Sequence, residues 1–246
     1  MSAEAGRLPF TRPELLIVDH GTAWRRMGRY LAGRSLTILE AGCGRKWPFE
    51  KGGHTITGID VDAYALEHRT SVERDLDRAI VADLRDVELP QETYDVIYCA
   101  FVLEHVDGAR PVLDKFVHAL RPGGLLMLTF PDRDSVYGFF SRYTPLWLHV
   151  LFRRYVRNQR DAGRPGFPPY ATCYDPVIAR RGFLAYVRER GLTVREEYGF
   201  MGLPAGLEAC IKAAGALSLG RLATRHANLM YILQKPGAWS ALKARS

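Results

Sequence analysis

The stretch that decides the fold runs from Ser35 to Gly44 and reads Ser-Leu-Thr-Ile-Leu-Glu-Ala-Gly-Cys-Gly. Its first seven residues, Ser35–Ala41, are apolar on both faces, which is the pattern of a buried parallel strand. Gly42 and Gly44 follow at once, and without a Cβ they let the backbone turn sharply and approach a ligand closely. The stretch therefore predicts a strand that ends in a ligand-binding loop.

Six further short apolar runs predict strands on the C-terminal side of this one. Most of them alternate with helical patterns, an order that indicates βαβ units. One such pattern, Pro111–Leu120, has apolar residues at helical spacing and is stopped by the Arg-Pro-Gly-Gly run that follows. We predict an α/β fold, doubly wound around a mostly parallel seven-stranded sheet, with the remaining strands at His54–Asp60, Arg78–Ala82, Tyr94–Ala100, Gly124–Phe130, Leu192–Tyr198 and Asn228–Lys235.

Two more helices are expected at the sides of this core. Pro13–Leu31 has an amphipathic pattern and is predicted to cover one edge of the sheet. Val177–Arg190 is predicted as a helix that ends at Gly191. Both helices would bury their apolar faces against the strands.

Two long stretches interrupt the alternation. Pro131–Pro176 is rich in aromatic residues, arginine, glycine and proline, and only one helix is predicted in it, near Pro145–Arg157. Such a length in a compact domain favours a lid or a binding loop. The second stretch, Gly199–Ala227, carries a small-residue helix. We predict one domain, in which residues 13–131 form the core, 132–176 a lid-like insertion after the fifth strand, and 177–235 the rest of the sheet with the insertion 199–227.

The composition restricts the class of protein. Of the 246 residues, 47% are hydrophobic and 25% charged, a globular balance that excludes wholesale disorder. No stretch reaches the roughly 18 apolar residues of a membrane span. The N-terminus shows no signal peptide, so a cytoplasmic protein is expected. No metal site is expected, because the four cysteines are far apart and form no metal-binding motif: Cys43, Cys99, Cys173 and Cys210.

The formal net charge of +7 is unevenly distributed along the chain. No acidic residue follows Glu208, and a second basic run extends from Arg153 to Arg164 with only Asp161 to offset it. Such a distribution suits anionic substrates, a membrane surface or nucleic acid, and it is also typical of a solvated face. Nucleic acid is the weakest of these, because no recognised binding module is present.

Asp60 ends the second predicted strand, 20 residues beyond Glu40. A carboxylate at this point can accept hydrogen bonds from two ribose hydroxyls, which indicates an adenosine-containing cofactor. A dinucleotide is disfavoured, because Trp47 stands where close helix–strand packing needs Gly or Ala. Glu40 also favours a cationic ligand group over a pyrophosphate.

Five segments in order resemble the motifs of class I S-adenosylmethionine-dependent methyltransferases, in the type 11 group that acts on small molecules. They read EAGCG, GID, VADL, YDVIYCAFVLEHV and LRPGGLLMLTF, and the resemblance covers roughly residues 35–131. It implies a Rossmann-like methyltransferase fold and an enzyme that uses S-adenosyl-L-methionine. The alternatives are an NAD-dependent reductase and a non-catalytic, methyltransferase-like binding module.

The resemblance also implies a cofactor-binding role for ten residues. Glu40, Gly42 and Gly44 would form the loop under the methionine part, and Asp60 would hold the ribose. The others would line the adenine, the ribose or the methyl passage: Val61, Asp62, Asp83, Leu84, Ala100 and Phe101. Two of them have structural alternatives, since Asp62 is also a helix N-cap candidate and Asp83 a turn-capping one.

The loop after Gly44 departs from the family pattern. Lys46 stands where a third Gly is usual, and nine residues separate Gly44 from His54, so the first helix is predicted to be shortened. Arg45, Lys46 or Trp47 would then replace backbone contacts to the methionine carboxylate.

The acceptor site is expected between the fourth strand and the lid. His105 is the candidate base or positioning residue, with an anchoring role as the alternative; Glu104 shares this ambiguity. An aromatic or apolar acceptor methylated on O or N is predicted, because the lid supplies Tyr137, Trp147, His149, Tyr170 and Tyr174. Alternatively, Phe139–Arg157 has the composition of an interfacial helix, so a lipid or quinone acceptor at a membrane is also considered. The chain is expected as a monomer or homodimer.

Overall fold

The computed structural model describes residues 14–164, 167, 169–201 and 208–237. Their strands form one eight-stranded sheet in the order β1-β7-β8-β6-β5-β2-β3-β4. All neighbouring strands are parallel except β8, which runs antiparallel to both β6 and β7. The strands are β1 Leu16–Ile17, β2 Thr37–Ala41, β3 Thr55–Asp60, β4 Arg78–Val81, β5 Tyr94–Ala100, β6 Leu120–Pro131, β7 Thr193–Phe200 and β8 Asn228–Gln234.

The predicted α/β fold is confirmed, and all seven predicted strands are present. The eighth strand, β1, falls inside the predicted helix Pro13–Leu31, so that prediction is wrong in its first part. Leu16 and Ile17 pair with β7 at the sheet edge, and the helix begins only at His20. Asp19 causes this start, because its side chain accepts a hydrogen bond from the Thr22 amide at 2.8 Å and caps the helix. Pro13 lies outside the described residues.

Helices cover both faces of the sheet. Together with Trp47, α1 and α2 pack on one face, over Ile38, Ile56 and Val96. On the opposite face, α3 and α6 pack against Leu39, Ile97 and Leu229. The α-helices are α1 His20–Gly28, α2 Ala63–His68, α3 Ala109–Ala119, α4 Val136–Tyr143, α5 Leu146–Leu151, α6 Arg180–Glu189 and α7 Glu208–Leu217. Two π-helical turns, Arg69–Glu73 and Phe152–Val156, extend α2 and α5. Short 3₁₀ turns lie at Leu103–His105 and Pro176–Ile178.

The connection between β2 and β3 contains no helix, so the predicted shortened helix is wrong. Residues 42–54 form turns, and Trp47 lies in the core with 4% of its surface exposed. Its indole packs edge-on against Phe49 at 5.2 Å and Tyr98 at 5.4 Å between ring centroids. Because Trp47 precedes Pro48, its backbone is also biased away from helical angles. A buried side chain thus takes the space of the expected helix.

The stretch after β6 folds into two helices rather than one. The predicted helix near Pro145–Arg157 is present as α5 and the π-helical turn, and α4 precedes it. The predicted small-residue helix is α7, which contacts α4. In the part of the chain that the structure describes, no helix has the length and apolar character needed to span a bilayer.

Candidate active site

The parallel strands bring the predicted residues to one edge of the sheet. Ala41, Asp60 and Ala100 are the last residues of β2, β3 and β5, and these three strands are parallel neighbours. Ligands of open α/β sheets bind outside this carboxyl edge. The topology therefore brings Ala41 and Ala100, which are 59 positions apart in sequence, to the same cleft.

The loop after β2 needs glycine for steric reasons. Gly42 has a φ of +70°, and a Cβ on it would lie 2.1 Å from Cγ2 of Val102. The amides of Gly42 and Cys43 donate to the Ile59 carbonyl at 2.8 and 3.2 Å, which holds the loop against β3. Gly44 also has a positive φ, +54°, and a Cβ there would meet open space. The loop is therefore packed closely against Val102 at Gly42 and faces open space at Gly44, so a ligand can approach its backbone there.

Asp60 links this loop to the next helix. Its Oδ2 accepts from the Gly44 amide at 2.8 Å and its Oδ1 from the Asp62 amide at 2.9 Å. Asp60 forms no ion pair within the described residues, and it is only half-buried. A carboxylate offers about four acceptor positions, so two remain for ribose hydroxyls.

Asp62 caps helix α2. Its Oδ1 accepts from the amides of Tyr64 and Ala65 at 3.0 and 3.3 Å, so the N-cap alternative is confirmed. Val61 lies beside it with its side chain exposed. Contact of Val61 and Asp62 with the adenine or ribose remains a prediction.

Glu40 lies beneath the loop and binds a residue that the sequence did not reveal. Arg69, which is 0% exposed, donates from Nη2 to Glu40 Oε2 at 2.7 Å and from Nη1 to the Cys43 carbonyl at 2.7 Å. Its Nε donates to Asp75 at 2.6 Å. Burial raises the pKa of Glu40, while Arg69 opposes the rise. Glu40 thus supports the loop through Arg69, and its direct contact with the methionine part stays a prediction.

Asp83 caps the turn after β4. It accepts from the Arg85 amide at 2.8 Å and from the guanidinium at 2.7 Å, and these bonds lower its pKa. Leu84 is buried in the core below it. The turn-capping alternative is confirmed for Asp83; an adenine amino group would have to share this carboxylate with Arg85.

Phe101 begins an aromatic wall at the end of β5. Its φ of +57° is unusual for a residue with a side chain, and such strain clusters at functional sites. The ring stacks on Trp24 with 6.2 Å between centroids, and Trp24 stacks on His20 at 4.1 Å. Phe200 meets Trp24 edge-on. Trp24 and His20 were missed, although their spacing of four residues places them on one helix face. Ala100, predicted to line the same passage, is half-buried at the end of β5.

His105 anchors the lid to the end of β5. Its Nδ1 lies 2.7 Å from the Ala171 carbonyl, and its ring meets Tyr170 edge-on at 5.8 Å. Because a carbonyl oxygen only accepts, Nδ1 carries the proton and Nε2 of the neutral ring is a free base. Burial lowers the pKa of His105, and the charge of Arg153 lowers it further.

Glu104 is buried next to this histidine. It is 3% exposed, its Oε2 has no hydrogen-bond partner, and Oε1 lies 3.8 Å from Nε2 of His105. Burial raises the pKa of Glu104 to about 8, so the carboxyl is mostly protonated at neutral pH. Its backbone carbonyl accepts from the amides of Cys173 and Tyr174, which fastens the lid a second time.

The structure brings some of the predicted acceptor residues together. Tyr170 lies beside His105, and the pKa of its phenol is raised by burial and then by the nearby charges of Asp62 and Asp60. Tyr174 is buried, and Tyr137 is close enough to raise its pKa. Tyr170 thus lies beside the candidate base and within the electrostatic influence of Asp60 and Asp62.

Three other predicted contacts lie elsewhere. Trp147 lies on α5 and is 62% exposed. His149 is half-buried and pairs through Nε2 with Thr144 Oγ1 at 2.6 Å. Trp47 is a core residue, whereas Arg45 lies 5.5 Å from the ring of the lid residue Phe167. Of the loop residues 45–47, only the exposed Arg45 and Lys46 can reach a ligand.

Comparison with known proteins identifies the class. Residues 39–128 match the family model described as a methyltransferase domain. A ubiquinone biosynthesis O-methyltransferase of Pseudomonas savastanoi pv. phaseolicola is 28% identical over 180 residues, 69% of this chain and 68% of the relative. A malonyl-[acyl-carrier protein] O-methyltransferase of Enterobacter lignolyticus is 27% identical over 115 residues, 45% of each chain. The solved S-adenosylmethionine-dependent methyltransferase of Mesorhizobium loti has a TM-score of 0.57 at 18% identity, covering 87% of this chain and 99% of that one.

The fold and the loop at its carboxyl edge define a Rossmann-like methyltransferase. The family match covers the strands β2 to β6 that carry this loop, Asp60 and the turn with His105. The match over residues 39–128 and the relatives named as O-methyltransferases support a class I S-adenosylmethionine-dependent methyltransferase of the type 11 group, an enzyme that uses S-adenosyl-L-methionine.

Proposed function

We propose that the enzyme methylates a hydroxyl oxygen of a small aromatic or otherwise apolar acceptor, held between the turn after β5 and the lid. The observation that carries this proposal is the hydrogen bond from His105 Nδ1 to the Ala171 carbonyl, which points to a free Nε2 base at the cleft. The relatives named as O-methyltransferases support an oxygen acceptor.

The residues present fit the methyl donor. Gly42 and Gly44 leave a cradle that a Cβ at position 42 would disturb, and Asp60 keeps free acceptor positions beside it. When bound, the donor supplies a methyl group on a sulfonium, which is a very good leaving group. The chain's main task is then to align acceptor and donor, and such orientation contributes up to roughly 7–11 kcal/mol.

His105 takes the proton of the acceptor hydroxyl in this proposal. Its lowered pKa keeps the ring neutral at pH 7, and the bond to Ala171 leaves Nε2 unprotonated. Glu104 lies behind this nitrogen as a mostly protonated carboxyl, so it does not neutralise an imidazolium. The proton therefore leaves to solvent through the cleft after transfer.

Substitution of the base tests the proposal. His105→Gln is expected to lower kcat on a phenolic acceptor by roughly 10²–10⁴, the contribution of a positioned base, and to leave the affinity for S-adenosylhomocysteine unchanged. A panel of phenols and catechols is screened by release of S-adenosylhomocysteine. His118→Gln is the matched control, because His118 is exposed on α3. Equal kcat values for the two variants would contradict the role of His105.

A second candidate is a lipid or quinone acceptor at a membrane surface. No residue of α5 or of the π-helical turn after it is buried, and large apolar side chains there are exposed beside arginines, a composition that favours interfacial binding. The exposed apolar side chains of these two elements are Leu146, Trp147, Leu148, Leu151, Tyr155 and Val156; Phe140 and Tyr143 on the preceding α4 are also exposed, and so are Arg154, Arg157 and Arg160 in the same stretch of sequence.

Vesicle sedimentation tests this candidate. Binding to phosphatidylglycerol vesicles that falls with Trp147→Ser would support it, with Leu217→Ser as the control because Leu217 on α7 is an apolar side chain that is even more exposed than Trp147, at 85% against 62%. Equal losses in both variants, or no binding to the vesicles, would count against it.

A cytoplasmic location is also proposed. The four cysteines are free, and thiols persist in reducing compartments. Whether the chain acts as a monomer or a homodimer remains a prediction. Detection of the native protein in a soluble cytoplasmic cell fraction tests the location, and its presence only in another fraction would overturn it.

A further inference from the structure

The aromatic wall at the carboxyl edge of the sheet consists of four rings from three elements. His20 and Trp24 lie on α1, Phe101 directly follows β5, and Phe200 ends β7. The His20 ring stacks on Trp24 at 4.1 Å between centroids and meets Phe200 edge-on at 5.3 Å. Trp24 in turn stacks on Phe101 at 6.2 Å, with 8° between the ring planes, and meets Phe200 edge-on at 5.7 Å. These contacts join the ends of β5 and β7, which β6 and β8 separate in the sheet, into one apolar surface.

Phe101 is an open part of this wall. Its side chain is 39% exposed, whereas Trp24 is half-buried and Phe200 is buried. Full face-to-face contact brings carbon atoms to about 3.5–4.0 Å, so at 6.2 Å between centroids Trp24 covers the Phe101 ring only in part. The uncovered part of the ring is available to a further ring from a ligand.

The backbone of Phe101 holds this ring in place at a cost in strain. Its φ of +57° lies in the left-handed region, which is unfavourable for a residue with a Cβ. Its amide donates to the Thr129 carbonyl on β6 at 2.8 Å, which fixes the residue at the end of the sheet. Because the ring is only partly covered, burial of the side chain compensates little of the strain. A strained backbone that presents an open aromatic side chain is typical of a ligand contact.

Contacts of the next residue, Val102, place Phe101 beside both parts of the proposed site. Val102 packs against the cofactor loop, since a Cβ on Gly42 would lie 2.1 Å from its Cγ2. The carbonyl of Val102 accepts from the His105 amide at 2.9 Å, which ties the turn with the candidate base to the same point. The wall therefore meets the cleft where the cofactor loop and the base come together.

We propose that the methyl acceptor carries an aromatic ring and that this ring packs on Phe101 and Trp24, which select it over a saturated ring of the same size. The inference rests on the proposed function and narrows its acceptor from apolar to aromatic. Aromatic rings attract one another beyond the area that they bury, so an aliphatic ring cannot replace the acceptor ring without loss. A phenolic hydroxyl lies in the plane of its ring, so a ring packed on the wall also has the direction of its oxygen fixed.

Paired ligands test the proposal without turnover. Wild-type protein saturated with S-adenosylhomocysteine is titrated calorimetrically with phenol, catechol and naphthol, and with their saturated counterparts cyclohexanol, cyclohexanediol and decahydronaphthol. At least one aromatic member is expected to bind about two- to tenfold more tightly than its counterpart, the range for an aromatic pair. Phe101→Leu and Trp24→Leu should each lower this ratio, because leucine keeps an apolar side chain and removes the ring. Phenols are stronger hydrogen-bond donors in every variant, so the comparison between variants isolates the contribution of the wall.

The variants separate stacking from general damage. Phe49→Leu is the matched control, because Phe49 is a half-buried phenylalanine beside Gly28 at the other end of α1, and it should keep the ratio. Trp24→Phe and Phe101→Tyr retain a ring and should keep most of it. A ratio near one for every pair in the wild type, no binding of any aromatic member at millimolar concentration, or an equal loss in Phe49→Leu would overturn the proposal.

Binding of S-adenosylhomocysteine shows for each variant that the fold is intact. If Trp24→Leu loses this binding, Phe101→Leu decides, because the exposed ring of Phe101 contributes less to the core. If folded wild-type protein does not bind S-adenosylhomocysteine, the proposed function itself fails. If it methylates an acceptor in a His105-dependent manner but binds both members of every pair equally, only the inference about the aromatic wall fails.

Discussion

Arg69 connects three segments under the cofactor loop through a single buried side chain. It binds Glu40 on β2, the carbonyl of Cys43 in the loop, and Asp75 before β4. Glu40 and the glycines could be predicted from the sequence, because they follow a recognisable strand. Arg69 could not, because nothing local distinguishes it from the solvent-exposed arginines that make up much of the charge of +7.

Removal of this side chain should affect both stability and the loop. Arg69→Met leaves Glu40 and the Cys43 carbonyl without their buried donor, and breaking a buried ion pair costs about 3–5 kcal/mol. We expect that loss in the free energy of unfolding measured with urea, with weaker binding of S-adenosylhomocysteine. Arg78→Met, on the exposed surface of β4, is the control. A loss below about 1 kcal/mol, the size of a surface pair, would contradict the structural role.

The pKa of His105 makes a second residue-scale prediction. Burial and then the charge of Arg153 hold this pKa below the ordinary value of about 6.5, while the bond to Ala171 opposes both. Since the unprotonated ring is the base, kcat should rise with pH through a value below 6.5 and be level at pH 7.

Arg153→Gln removes one cause of the lowered pKa. The pKa of His105, followed by NMR of the ring protons, should therefore move upward in this variant and stay unchanged in Arg157→Gln. A pKa at or above the ordinary value in the wild type, or no shift in Arg153→Gln, would be incompatible with this arrangement.

At the element scale, the connection between β2 and β3 shows where prediction of secondary structure from the local sequence pattern fails. Nine residues between Gly44 and His54 indicated a shortened helix, but Trp47 folds inward and its ring fills the space over β2 and β5. The competition between a helix and a buried indole is decided by tertiary packing, which the sequence alone does not report. The strands were predicted well, because a buried strand has a local apolar pattern.

The two tryptophans at positions 47 and 147 provide a matched test. Trp47→Ala should lower the free energy of unfolding by about 3–5 kcal/mol, the cost of removing a large buried ring. Trp147→Ala, at 62% exposure, should change it by less than about 0.5 kcal/mol. Urea denaturation compares both, and similar values for the two variants would contradict the packing described for the connection.

At the scale of the whole molecule, the order of strands in the sheet places segments that are distant in sequence next to each other in one site. The ends of β2, β3 and β5 were predictable as cofactor-binding positions, because parallel strands end at the same edge. The lid was predictable as a long segment with one helix near Pro145–Arg157, but the way it is attached to the sheet was not. The lid is attached by hydrogen bonds to the backbone carbonyls of Ala171 and Glu104. Backbone carbonyls are the same in every residue, so the amino-acid sequence does not indicate which of them form such bonds.

The measurement that tests the central claim most directly is calorimetric titration with S-adenosylhomocysteine of the wild type and Asp60→Ala, with Asp86→Ala as an exposed control. Micromolar binding is predicted for the wild type and the control. A loss of at least about tenfold is predicted for Asp60→Ala, since charged hydrogen bonds to the ribose are removed. No binding by folded wild-type protein, or equal affinity in all three proteins, would contradict the cofactor site described at the end of β3.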